Sequence, residues 1–267
     1  FYLDFDIYHY SKPDGKLWGG LHIVDVNPMP NIDYLMSLNH HDLTHEKISN
    51  KNVKICLPPH IEDKPIISIT TDEWDSRPYD FGFLSPLYHK GTSIVKNLLI
   101  EFPDAKFLIK KPTYGSSFDL DIIYPILGDN YDSIKWFDNI EEDFYQKCKF
   151  VLYPSLNEGY GLVPVEAIMD GAIPILNYTQ SNYWVHHNNV YYINNELNNN
   201  PDLYNFDYYL KNYDLINEQW VVELKDILNK DTRHHIQFVT DTQKKVVDYH
   251  QNRYNKLYSK FKKILEE

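Results

Sequence analysis

The sequence predicts an α/β fold: a parallel sheet with helices on both faces, preceded by a short or truncated N-terminal region and followed by C-terminal helices. Three observations predict it. From Tyr79 onward, short apolar runs alternate with segments whose apolar residues recur at helical spacing. One of those runs, FVLY at 150–153, passes through a glycine-containing loop directly into a helical stretch. Hydrophobic residues make up 43% of the 267, enough for the core of one large domain, or of one domain and part of a second.

The elements follow in order. Residues 1–76 carry weak signals: FYLDFDIY and LHIVDVN read as strands, Asp33 to His45 as a short helix, Lys54 to Pro59 as a strand entering a loop, and Ile66 to Thr70 as a β-rich run. Tyr79 to Leu84 is a strand, and Ser85 to Gly91 a loop. Ile94, Val95, Leu98, Leu99 and Phe102 give Thr92 to Phe102 a helical apolar face, stopped by Pro103. Lys106 to Ile109 and Ile134 to Phe137 are strands, and Glu141 to Lys149 reads as a helix with acidic residues at its start. Phe150 to Tyr153 is a buried-type strand, Gly161 to Asp170 a helix closed by Gly171, and Ile173 to Leu176 a strand. Leu215 to Leu228 and Thr232 to Leu265 are helices, the second with Val246, Val247, Tyr249, Tyr254, Leu257, Tyr258, Phe261, Ile264 and Leu265 as its expected buried face. The chain divides into 1–76, a sheet domain at 77–235 and a C-terminal helix at 236–267.

A net charge of −12 repels a phosphate backbone and argues against nucleic acid as a partner. A local basic site for a small phosphorylated ligand stays compatible with it. Two cysteines far apart, Cys56 and Cys148, form no disulfide framework and suit a reducing, cytoplasmic compartment. No apolar run approaches the roughly 18 residues of a transmembrane helix. The opening FYLDFDIYHY lacks the basic region of a signal peptide. A first residue of Phe rather than Met fits a fragment, a processed product or a domain of something longer.

The chemistry concentrates between Tyr153 and Gly171. Gly159 and Gly161 let the backbone turn sharply and approach a ligand. Pro164 sits in the first helical turn, where a missing N–H costs nothing. The amides of Gly161, Leu162 and Val163 then form an anion site suited to a diphosphate. Glu158 and Glu166 bracket it with seven residues between them.

Pro154, Ser155, Glu158, Gly159, Tyr160, Gly161, Leu162, Glu166, Ala167, Gly171 and Pro174 stand in the order and spacing P-S-x-x-E-G-[FY]-G-L-x-x-x-E-A-x-x-x-G-x-P. The stretch resembles the retaining GT-B glycosyltransferases of the E-x7-E type, similar to glycosyltransferase family 4. The resemblance implies a Rossmann-like, nucleotide-sugar-binding domain over 77–235. It implies that Glu166 accepts hydrogen bonds from the donor ribose, and that Glu158 lies by the transferred sugar and stabilises oxocarbenium charge. Tyr160 belongs to the same donor-binding loop. Upstream, Phe81 to Gly91 resembles the family's G-R-L-x-x-x-K-G segment, whose arginine and lysine clamp the diphosphate; Lys90 fits the lysine, and Phe83 stands in place of the arginine. Charge neutralisation then depends more on the helix amides, or on Lys110 or Lys111. The base is expected near 110–114 or 137–140, where Phe137 or Tyr114 is placed either to stack on it or to serve as core or rim.

Other clusters carry less. Asp4 and Asp6 form a D-x-D that would suit a divalent cation, but alternating aspartates on a strand are common. His40, His41, His45, Cys56 and His60 match no standard zinc spacing. Gln180 to Asn182, and His186-His187 after them, form either a donor-side loop or a polar surface.

The expected activity is therefore transfer of a sugar from a nucleotide diphosphate sugar to an acceptor glycan, lipid or protein, with retention and without a metal or other cofactor. The alternative is a non-catalytic module on the same fold, binding a nucleotide sugar or a partner. Residues 1–76 are too few for a full acceptor domain. The acceptor site is expected on a shortened domain, on further chain or on another subunit.

Overall fold

The structure is a computed structural model that describes residues 19–22, 34–37, 53–56, 65–84, 90–110, 134–137, 143–155, 161–177, 190–193 and 213–266. Three strands, β1 (Gly19–His22), β2 (Tyr34–Ser37) and β3 (Val53–Cys56), form a parallel sheet in sequence order. Two expectations change here. Gly19 and Gly20 lie inside a strand rather than ahead of one. Tyr34 to Ser37, expected within a helix, are the central strand, with backbone pairing on both sides.

The second sheet has six strands, all parallel: β4 (Tyr79–Phe83), β5 (Phe107–Lys110), β6 (Ile134–Phe137), β7 (Cys148–Tyr153), β8 (Ile173–Asn177) and β9 (Tyr191–Ile193). Their spatial order is β6-β5-β4-β7-β8-β9. That is the order of a doubly wound α/β sheet, with its reversal between β4 and β7.

Alternation along the strands splits the core in two. Phe107 and Ile109 of β5, with Phe150 and Leu152 of β7, face one layer. That layer holds Trp74 of α1 (Thr71–Asp75), Ile94, Val95, Leu98 and Leu99 of α2 (Thr92–Glu101), and Trp220 and Leu224 of α4 (Tyr213–Leu228). Leu108 and Val151 face the other, against Ala167 of α3 (Leu162–Met169). Helices thus cover both faces. α5 (Thr232–Glu266) adds Val239 to the first layer and Val246 to a cluster with Ile168 and Met169. The Nε2 of its Gln243 donates to the Ile168 carbonyl at 2.8 Å, satisfying the C-terminal end of α3.

Three further expectations are corrected. Ile66 to Thr70 form no strand; Thr70 instead caps α1 in a capping box with Glu73, and the run is its lead-in. The described part of the helix expected over Glu141 to Lys149, residues 143–149, is not an α-helix. A single 3-10 turn spans Tyr145–Lys147, and Cys148 is already extended and paired with Tyr79. One turn suffices to bury Phe144, Tyr145 and Cys148 together. Tyr258 of α5 is 73% exposed rather than buried, and every described side chain from Gln251 onward is exposed. At 1.5 Å per residue α5 is about 52 Å long, more than the sheet domain covers.

Candidate functional site

In a doubly wound sheet, ligands bind beyond the carboxyl ends of the strands where the order reverses. Here that point lies between the ends of β4 and β7. α2 starts after β4 and α3 after β7, each from a glycine in the left-handed region: Gly91 at φ 79° and Gly161 at φ 79°. Neither N-terminus has a side-chain cap. In the first of them Ile94 N donates to the Gly91 carbonyl at 2.9 Å; the positive ends of both helix dipoles face the carboxyl edge of the sheet.

The two loops touch. A Cβ on Gly91 would stand 2.3 Å from the Pro154 carbonyl oxygen and 2.8 Å from the Pro154 ring. The same carbonyl accepts from Asn177 Nδ2 at 2.6 Å, and Asn177 Oδ1 accepts from Trp220 Nε1 at 2.7 Å. The start of the glycine loop is thus held by the end of β8 and, through it, by α4. Sequence reading missed Asn177 and Trp220; a buried asparagine ending an apolar strand was the available signal.

Glu166 lies in the second turn of α3 and is exposed, on the same helix side as exposed Leu162 four residues earlier. Val163 is half-buried between the core and the crevice. Glu166 Oε2 accepts from the Tyr145 hydroxyl at 2.6 Å. Burial, then the Glu166 charge, pushes the Tyr145 phenol far above its ordinary range. Tyr145 was also missed, because it was read as part of a helix face.

Lys90 is half-buried and directly precedes Gly91 at the crevice. Lys110 and Phe137 are register partners at the carboxyl ends of β5 and β6, on the same edge of the sheet but farther from β7. Phe83, at the position of the family's arginine, is 2% exposed within the core. Glu158, Gly159, Tyr160, Lys111 and Tyr114 lie outside the described residues, as do Asp4, Asp6, Gln180 to Asn182 and the histidines at 40, 41, 45, 60, 186 and 187. Among the described residues no group of three or more His, Cys, Asp or Glu could hold a metal ion, and no helix is long and apolar enough to cross a membrane.

A half-buried guanidinium and a buried thiol serve structure. Arg77 Nη1 donates to the Cys148 carbonyl at 2.6 Å, at the amino end of β7 and so on the edge away from the crevice. Burial lowers the Arg77 guanidinium to about 10, and its charge lies 4.9 Å over the Trp74 ring. Burial pushes the Cys148 thiol up to about 12, far from a nucleophilic thiolate at neutral pH.

No family model matches the chain, and no curated protein matches it. Solved structures do. The pneumococcal O-GlcNAc transferase GtfA, in complex with UDP and GlcNAc, is 16% identical, with TM-score 0.56 over 85% of this chain and 45% of that one. Sucrose-phosphate synthase from Thermosynechococcus elongatus is 11% identical, with TM-score 0.62 over 88% and 59%. Anabaena Alr3699/HepE, in complex with UDP and glucose, is 14% identical, with TM-score 0.59 over 85% and 63%. The chain thus spans about half to two-thirds of these structures. At such identities the likeness establishes the fold: the α/β parallel-sheet domain of GT-B glycosyltransferases.

Proposed function

We propose that the chain provides the donor site of a retaining, metal-independent glycosyltransferase. It takes a sugar from a nucleotide diphosphate sugar and passes it to a glycan, lipid or protein acceptor. The observation that carries this reading is the crevice itself. Two helices begin beyond the carboxyl ends of the adjacent strands β4 and β7, the N-cap glycine of the first against Pro154 at the end of β7, with exposed Glu166 one turn inside the second.

In this reading the donor diphosphate lies against the amides of Gly161 to Val163, with Lys90 alongside. As the sugar leaves, negative charge grows on the diphosphate, and fixed dipoles stabilise it without reorganising. Glu166 accepts from the ribose hydroxyls, and Glu158 stands by the oxocarbenium-like sugar. Lys111 adds positive charge, and Phe137 or Tyr114 stacks on the base. Retention and metal independence come with the E-x7-E resemblance. The UDP and sugars bound by the matched structures support the donor class. The acceptor site belongs to another domain or subunit, and the setting is cytoplasmic.

One observation favours a second reading, binding without turnover. Phe83 is packed in the core where the family places a charge-neutralising arginine. The deciding experiment incubates the protein with a panel of UDP-, ADP- and GDP-sugars and follows nucleoside diphosphate release, with and without candidate acceptors. Release supports transfer. Saturable binding with no release supports the module, and no binding by any donor removes both.

A further inference from the structure

The Tyr145 hydroxyl donates to Glu166 Oε2 at 2.6 Å, across 21 residues of sequence. We propose that Tyr145 is a positioning residue that holds the Glu166 carboxylate in the one orientation that receives a ribose diol. The inference rests on the donor-site reading above and deepens it.

The two partners differ in freedom. Tyr145 is 5% exposed, with its ring edge-on to fully buried Phe144 at 5.6 Å. It sits on the 3-10 turn just ahead of β7, packed with Leu108, Val151 and Ala167. Its hydroxyl therefore points from a fixed place. Glu166 is exposed, and an exposed glutamate on a helix samples several rotamers. A carboxylate that must meet two adjacent hydroxyls loses that freedom on binding unless it is lost beforehand. A short O–H···O⁻ bond from a rigid donor removes it beforehand. The bond occupies Oε2, and no other hydrogen bond reaches this carboxylate among the described residues. Its other oxygen and the outer lone pair of Oε2 remain for a ligand. Burial and the Glu166 charge raise the Tyr145 phenol, so at neutral pH it keeps its proton and remains a donor.

A plain strut between the turn and α3 is the competing role. The two differ in what they do to ribose selectivity. The test titrates the full chain and its Tyr145→Phe variant calorimetrically with UDP, ADP and GDP and with their 2′-deoxy counterparts. Tyr145→Phe is expected to weaken ribonucleotide binding about three- to tenfold, to weaken 2′-deoxynucleotides, which keep only the 3′-hydroxyl, by less, and so to narrow the ribose preference. In a Glu166→Ala background the same change is expected to do nothing further. Glu166→Asp is the second probe. It keeps the charge but withdraws it from the Tyr145 hydroxyl, and the ribose preference is expected to fall there too. Equal losses for ribo- and deoxynucleotides, or an unmoved preference in either variant, overturn the positioning role alone. A wild-type chain that binds none of the nucleotides overturns the donor-site reading, and this inference with it.

Discussion

At position 166 the carboxylate is inside a regular helix, whereas position 158 precedes that helix in sequence, and the two glutamates are expected to divide the donor between them. Glu166→Ala is expected to weaken nucleoside diphosphate and nucleotide sugar alike, by about 1.5–3 kcal/mol, or about ten- to a hundredfold, for lost charge-assisted bonds. Glu158→Ala is expected to spare free nucleoside diphosphate and to lower turnover or the added affinity of the sugar. Paired titrations of both variants with both ligands check it; equal damage to nucleotide binding would assign Glu158 to loop structure. His235 offers a test by pH. It is 4% exposed, stacked on Trp74 at 5.8 Å, with no hydrogen-bond partner at Nδ1. Burial, then the neighbouring His234 and Lys230 charges, push its imidazole from 6.5 down to about 4. The folded state thus resists a proton that the unfolded chain accepts. The stability due to neutral His235 is complete above pH 6.5 and is lost as pH falls toward 4. Urea midpoints measured across that window are expected to drop in the wild type and to drop less in His235→Phe.

The junction of the β4–α2 and β7–α3 loops is where elements meet most tightly, and two glycines separate close approach from simple strain. Gly91 and Gly171 both have positive φ, at 79° and 80°. A Cβ at Gly171 meets the flexible end of Ile69 at 2.5 Å, whereas one at Gly91 meets the backbone of Pro154 at 2.3 Å. Each alanine variant is expected to lose about 1–3 kcal/mol of stability from the backbone conformation. Only Gly91→Ala is expected to weaken nucleotide binding as well, because its neighbour is the start of the glycine loop. Thermal melts with and without UDP on both variants check this. The helix α3 and the glycines that bound it were legible in the sequence because Gly161, Pro164 and Gly171 each favour a particular backbone. The bond from Tyr145 to Glu166 was not. Sequence periodicity cannot tell a helix from a single turn followed by a strand when both bury residues 144, 145 and 148. Likewise Tyr258 continues the apolar stripe of α5, and nothing local reveals where the sheet domain stops covering it.

For the whole molecule, a net charge of −12 surrounds the crevice proposed to receive a diphosphate. Two helix dipoles and Lys90 answer that locally, so donor binding measured by calorimetry is expected to survive EDTA. Loss of binding in chelator would return attention to Asp4 and Asp6. The parallel sheet was legible as a whole, since strands near Tyr79, Phe107, Phe150 and Ile173 are mainly apolar and alternate with helical spacings. Which strand stands beside which was not legible, because pairing across distant sequence leaves no periodic mark. That pairing sets the order in which the molecule is made. Of the six-stranded sheet, β4, β5 and β6 are synthesised first and can zip together, which leaves the far side of β4 as a bare ladder edge. Only when β7 has been translated does Tyr79 find Cys148 and that edge close. Such long-range pairing is slow. A ribosome stalled between β6 and β7 therefore holds a half-sheet whose open flank invites a second nascent chain, and the crevice is among the last features to exist.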